Sequence, residues 1–265
     1  MTLSPNATLY FALAWYAAGT VVALTSLFFA NRRLPVTGLL LMIVGFVSHT
    51  IWIGTICVRT GHPPLTNLPE AVSFVAWTVF LVEILLYFRY RVHAASFFVY
   101  PLVLILLIVA AVVRESFAPL DPTLRSSLFT AHLLFATVGI AALLIGLAFT
   151  VLAYMQDRAL KSKTRGRLWE WIPSLDICKQ LAYRAIAIGF SIYTFGIVAG
   201  ILWSYRTAAL SGLRTKEIGA LVAWVLFGAL LQSFITGMYR SKRTVMISAG
   251  AFIAVVVSLL GIEHV

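Results

Sequence analysis

The sequence predicts an all-α, polytopic membrane protein of about eight transmembrane helices, and three observations predict it. Only 11% of the 265 residues are charged and 61% are hydrophobic, against about 25% charged residues in ordinary soluble domains. Apolar runs of about 20 residues, the number needed to cross a hydrocarbon core of about 30 Å, recur along the chain. The basic residues collect in alternate connections between those runs, as the positive-inside rule requires of a multi-pass protein.

The elements follow in order. The first apolar run, from about Leu9 to Phe29, has no basic segment before it and no small-residue cleavage site at its end. It therefore reads as a retained helix and not as a removable signal peptide. Runs bounded by charged or turn residues place the spans near 8–30, 35–58, 70–88, 96–113, 128–155, 183–205, 217–239 and 245–262. The third begins with Pro69 and Glu70; proline fits a first helical turn without losing a needed donor, and a carboxylate there is favoured by the helix dipole. No internal repeat, low-complexity tract or long linker is evident, so residues 1–265 read as one membrane domain and inverted-repeat transporters are not favoured.

The net charge of +11 does not indicate a nucleic-acid partner, because such a partner needs a basic water-facing surface and here the charges sit in short connections. Arg32, Arg33, Arg89, Arg91, Arg158, Lys161, Lys163, Arg165, Arg167, Lys179, Arg184, Arg240, Lys242 and Arg243 fall in the odd-numbered loops, 14 of the 20 basic residues. Arg59, Arg114, Arg125, Arg206, Arg214 and Lys216 fall in the even ones. This asymmetry puts the odd loops in the cytoplasm and both termini outside. The fifth loop adds Trp169, Trp171 and Ile172 to its basic run, the pattern of a segment lying on an anionic bilayer surface or docking a cytoplasmic partner. Cys57 and Cys178 lie near opposite membrane faces and form no CxxC pair, which disfavours a disulfide and a thiolate metal site.

The five histidines are the main chemical resource, since neutral imidazole ligates haem iron and moves protons near neutral pH. His132 opens the fifth span and His264 follows the eighth, both on the predicted outer side, where they could form an axial pair or simply hydrogen-bond at the interface. His49 lies inside the second span, where an ionisable group needs a partner or a cavity; Gly45, Trp52 and Ile53 share its face. His93 belongs to a solvated cytoplasmic loop, and His62 to the turn with Pro63, Pro64 and Pro69. Glu83 lies in the third span, where a neighbouring Arg or snorkelling could neutralise it. Isolated carboxylates, with no serine-histidine arrangement or phosphate-cradling loop, leave hydrolase and nucleotide chemistry unsupported and give no catalytic residue. Gly196 and Gly200 form a small-xxx-small element suited to close helix packing.

Several stretches together resemble the Ccs/Res membrane proteins of cytochrome c assembly, including the related HemX-type proteins. GHPPLTNLPEAVSFVAW is similar to the family's stretch through Gly61, His62, Pro64, Asn67, Glu70, Phe74 and Trp77. IPSLDICKQLAYRAIAIGFSIYTFGIVAGILW is similar to its segment leading to the haem-binding loop, through Pro173, Ser174, Leu175, Tyr183, Arg184, Gly189, Phe190, Thr194, Gly196, Gly200 and Trp203. LLGIEHV resembles the family's closing stretch. After Trp203 the tryptophans and aspartate of the family's external loop are replaced by SYRTAALSGLRTKE, and Gln232 stands where a second intramembrane histidine is expected.

The resemblance implies a haem-binding or haem-delivery protein of the bacterial inner (cytoplasmic) membrane that acts in cytochrome c assembly without being an enzyme on its own. It implies non-covalent b-type haem with His132 and His264 as axial ligands of the iron and His49 as an inner ligand. Arg206, Arg214 and Lys216 are placed to pair with haem propionates. The implied partners are other cytochrome c assembly membrane subunits or apocytochrome c, with the fifth loop open to a cytoplasmic partner, lipid all round and no nucleic acid. The alternatives are a HemX-like accessory protein that binds a partner and influences haem biosynthesis without carrying haem, and a subunit of a respiratory complex or an unrelated small transporter.

Overall fold

The structure is a computed structural model that describes residues 5–29, 31, 33–65, 67–90, 95–113, 126–163, 172–206, 215–237 and 241–260. These form eight α-helices: α1 (Pro5–Thr25), α2 (Arg33–Thr60), α3 (Leu68–Tyr90), α4 (Ser96–Val112), α5 (Ser127–Ser162), α6 (Leu175–Arg206), α7 (Thr215–Ile235) and α8 (Ser241–Leu260). Six of them, α1 to α3 and α5 to α7, are long and apolar enough to cross a membrane. The chain is a multi-pass membrane protein. α4 is apolar but has 17 residues, a rise of about 25 Å that falls a little short of the hydrocarbon core.

The largest departures from the expected boundaries lie where helices leave the hydrocarbon. α5 runs to Ser162, past the expected 155, over 36 residues, about 54 Å at 1.5 Å per residue. Its extension is polar and carries a Lys161–Asp157 ion pair at 2.8 Å one turn apart, ending on Lys163 in the left-handed region at φ 53°. Apolar content locates the membrane-embedded part of a helix and is blind to a continuation in water. α6 likewise begins at Leu175 and not at 183, where the Ser174 hydroxyl accepts from the Ile177 backbone N–H at 3.4 Å. α1 stops at Thr25, five residues short of expectation; Thr25 and Ser26 hydroxyls donate to the carbonyls of Val22 and Ala23, and Phe28 and Phe29 continue the apolar run outside the helix.

Helix packing divides the chain into two compact units, residues 1–120 with 166–172, and residues 121–165 with 173–265. In the first, α1 packs on α2 and α4, and α3 on α2 and α4; in the second, α5 packs on α6 and α8, and α7 on α6 and α8. The expectation of no internal repeat is therefore corrected: the same four-helix arrangement occurs twice. The matching contacts explain which residues recur. In α2 and α3, Phe46 stacks on Trp77, whose indole N–H donates to Thr50 Oγ1 at 2.9 Å. In α6 and α7, Phe190 stacks on Trp224, whose indole N–H donates to Thr194 Oγ1, also at 2.9 Å. The stretches EAVSFVAWTVF from Glu70 and EIGALVAWVLF from Glu217 keep the glutamate, tryptophan and final phenylalanine in register.

Glycines set how closely the helices of a unit approach. A Cβ on Gly45 would lie 2.6 Å from the Tyr16 ring, and one on Gly139 would lie 2.7 Å from the Tyr193 backbone nitrogen. The α5–α6 crossing continues with Gly146 on Ile186, Gly189 on Leu143 and Gly196 on the Ala136 backbone. Small residues let two backbones meet at such distances, the main source of cohesion between helices that gain nothing from leaving lipid.

Candidate functional site

His132 lies in the second turn of α5, whose start is capped by the Ser126 hydroxyl accepting from the Phe129 backbone N–H at 3.1 Å. Its ring crosses to α6, where Nδ1–H donates to the Gly196 carbonyl at 2.8 Å. A carbonyl can only accept, so this bond puts a ring proton on Nδ1, as in metal-ligating histidines that coordinate through Nε2. Gly200 makes room for the ring: a Cβ there would lie 2.7 Å from Nδ1 and 2.9 Å from Cε1. The small-xxx-small element thus packs α5 against α6, as its spacing indicates, and also seats the histidine. One turn toward the helix ends, Phe129 and Trp203 pair at 4.9 Å between ring centroids. His132, Phe129 and Trp203 are all half-buried, and Arg206 is exposed at the end of α6.

The other expected residues divide into three groups. His264 and Arg214 lie outside the described residues, as do His93 and the Arg165, Arg167, Trp169 and Trp171 cluster of the fifth loop, and nothing is described of the Lys216 side chain. Gln232 is exposed near the end of α7 and does not enter the core of its unit. His49 is fully buried in the other unit, with Nε2 2.8 Å from Ser73 Oγ on α3 and Nδ1 3.4 Å from the Tyr16 hydroxyl on α1. Both ring nitrogens therefore have hydroxyl partners, an interhelical arrangement that accounts for an imidazole inside a span.

The proline-rich turn is built as its sequence indicates. Gly61, at φ 74°, ends α2 with its N–H on the Cys57 carbonyl, and the Asn67 side chain accepts from the Glu70 backbone N–H at 2.9 Å to start α3. His62 Nδ1–H donates to the Pro63 carbonyl at 2.9 Å. For Glu83 the partner among the described residues is a serine: Oε1 accepts from the Ser96 hydroxyl at 2.8 Å in the buried interior. Cys57 and Cys178 are free thiols.

Among the described residues no three His, Cys, Asp or Glu side chains converge on a point that could hold a metal ion. Haem makes a smaller demand, because the porphyrin supplies the equatorial ligands of its iron and the protein adds only axial ones. His132, with its tautomer set, a half-buried aromatic pair one turn away and a guanidinium at the end of α6, fits that demand. Sequence reasoning found the histidine and the glycines separately. It missed Phe129 and the Gly196 carbonyl, although the spacing of 129, 132, 136 and 139 against 196, 200 and 203 puts each set on one helix face.

Comparison with known proteins identifies the family. A family model described as cytochrome C assembly protein matches residues 65–265. Cytochrome c biogenesis protein CcsA of Guillardia theta is 26% identical, across 83% of this chain and 80% of that protein. CcsA of Synechococcus sp. (strain CC9605) is 26% identical, across 93% of this chain and 91% of its own. The solved structure of a cytochrome c heme lyase, CcmF, superposes with a TM-score of 0.70 at 15% identity, over 98% of this chain and 47% of that one. At that identity the likeness is one of fold, and this chain spans about half of the lyase. The model match runs from the turn before α3 through α8, well over half of the chain, so the chain belongs to the cytochrome c assembly protein family.

Proposed function

We propose that this chain carries haem as cargo for cytochrome c assembly, at a site centred on His132. The observation that supports the reading is the Nδ1–H bond to the Gly196 carbonyl, which fixes the His132 ring in the tautomer that ligates through Nε2, at the end of the α5–α6 pair. His264 is the proposed second axial ligand, and Arg206, Arg214 and Lys216 are the proposed partners of the propionates. The haem is proposed to be b-type and non-covalently held. Phe129 and Trp203 offer apolar surface to the porphyrin face, in place of the tryptophans the external loop lacks. His49 is the proposed inner ligand; to serve, its ring would have to give up Ser73.

The chain has no catalytic residue of its own in this account and is one part of a multi-subunit haem-attachment system. Other assembly subunits of the membrane and apocytochrome c are its proposed partners, and the basic, tryptophan-bearing fifth loop is a proposed contact for a cytoplasmic one. The proposed location is the bacterial inner membrane with both termini outside, supported by the distribution of basic residues. The family model spans parts of both units, which supports treating them as one assembly domain.

The test is complementation of cells that lack the chain, read as covalently haem-stained cytochrome c in their membranes. The wild-type chain is expected to restore staining and His132→Ala, inserted to the same level, to lose it. Full staining with His132→Ala would contradict the proposal.

A further inference from the structure

Glu83 is a carboxyl group 1% exposed, inside a membrane span, and it plays no part in the haem site. Its Oε1 accepts from Ser96 Oγ–H at 2.8 Å, while Oε2 is buried with no partner among the described residues. Among the described residues, Tyr100 on α4 lies within electrostatic range of both Glu83 and Tyr87. The ion pair formed among the described residues, Lys161 with Asp157, is in the other unit.

These facts decide between the ways a buried acid can be satisfied. An ionised carboxylate with one hydroxyl donor, and no cation on it among the described residues, is among the costliest groups to hold in hydrocarbon. A hard metal cation would need several further oxygen ligands, and among the described residues no three His, Cys, Asp or Glu side chains gather to supply them. A proton on Oε2 removes the charge and leaves the Ser96 bond in place. The pair lies toward one end of its helices: Ser96 is the first residue of α4 and Glu83 lies seven residues before the end of α3, about 10 Å along the helix.

We propose that Glu83 is a proton-exchange site in the interior of the first unit, taking up and releasing a proton on Oε2 through the α3–α4 end. The ligand is a proton, and the site is independent of haem binding. Infrared difference spectra between the wild-type chain in nanodiscs and Glu83→Gln test it. The wild type is expected to show the carbonyl stretch of a protonated carboxylic acid that the variant lacks, and the band is expected to shift on transfer to D2O. Carboxylate bands alone, or a protonated band that does not exchange, would overturn the proposal. Should Glu83→Gln fail to fold, the wild type alone still decides: dicyclohexylcarbodiimide, which reacts with protonated carboxyls in apolar surroundings, is expected to leave an adduct on Glu83 that declines as pH rises. Absence of that adduct would overturn it equally.

Discussion

At the scale of single residues, the site depends on where one ring proton sits. The Gly196 carbonyl holds it on Nδ1 of His132, and Gly200 keeps the space in which the ring can reach that carbonyl. A methyl group at position 200 would meet the imidazole, a side chain, and not the α5 backbone. Gly200→Ala is therefore expected to turn the ring and weaken haem binding severalfold while leaving thermal stability close to wild type. Haem titration beside a melting curve checks this, and a variant that binds haem normally would show that Gly200 serves packing alone. Gly139→Ala is the matched contrast, since its Cβ would meet the Tyr193 backbone nitrogen at 2.7 Å and the helices themselves must separate. Its expected cost is about 1–3 kcal/mol, the usual range for overpacking, read as a lower melting temperature.

At the scale of elements, the helices were legible in the sequence and their partners were not. Every helix was found, six of them because hydrocarbon demands a long apolar run, and the ends of α5 and α6 were misplaced because water makes no such demand of a helix that continues into it. His132 and Gly196 are 64 positions apart, and no local pattern pairs them; the packing of α5 on α6 does. The buried hydroxyl partners of His49 and the serine beside Glu83 were hidden for the same reason. The repeated indole-to-threonine bonds are an element-scale claim that can be measured. Thr50→Val and Thr194→Val each leave the indole N–H of a half-buried tryptophan without its acceptor, and each is expected to cost about 1 kcal/mol in its own unit. The costs should add in the double variant, because the two bonds lie in different units; a clearly non-additive double variant would contradict their independence.

At the scale of the whole molecule, eight helices in two like units form a multi-pass membrane protein of the cytochrome c assembly family. The proposed orientation puts the start of α5 outside and its end in the cytoplasm. In a chain freed of Cys57 and Cys178, an impermeant thiol reagent applied to cells with permeable outer layers is expected to label Ser127→Cys, and to label Lys163→Cys only after the inner membrane is opened. The reverse pattern would invert the topology and move His132 to the cytoplasmic face. The central claim remains that this chain holds haem through His132. Its most direct measurement is the absorption spectrum of the chain purified in mild detergent and reconstituted with haem, oxidised and then reduced, beside His132→Ala and His264→Ala. The account predicts a Soret band with six-coordinate features that each variant weakens; a wild-type chain that takes up no haem, or a spectrum indifferent to His132, would contradict it.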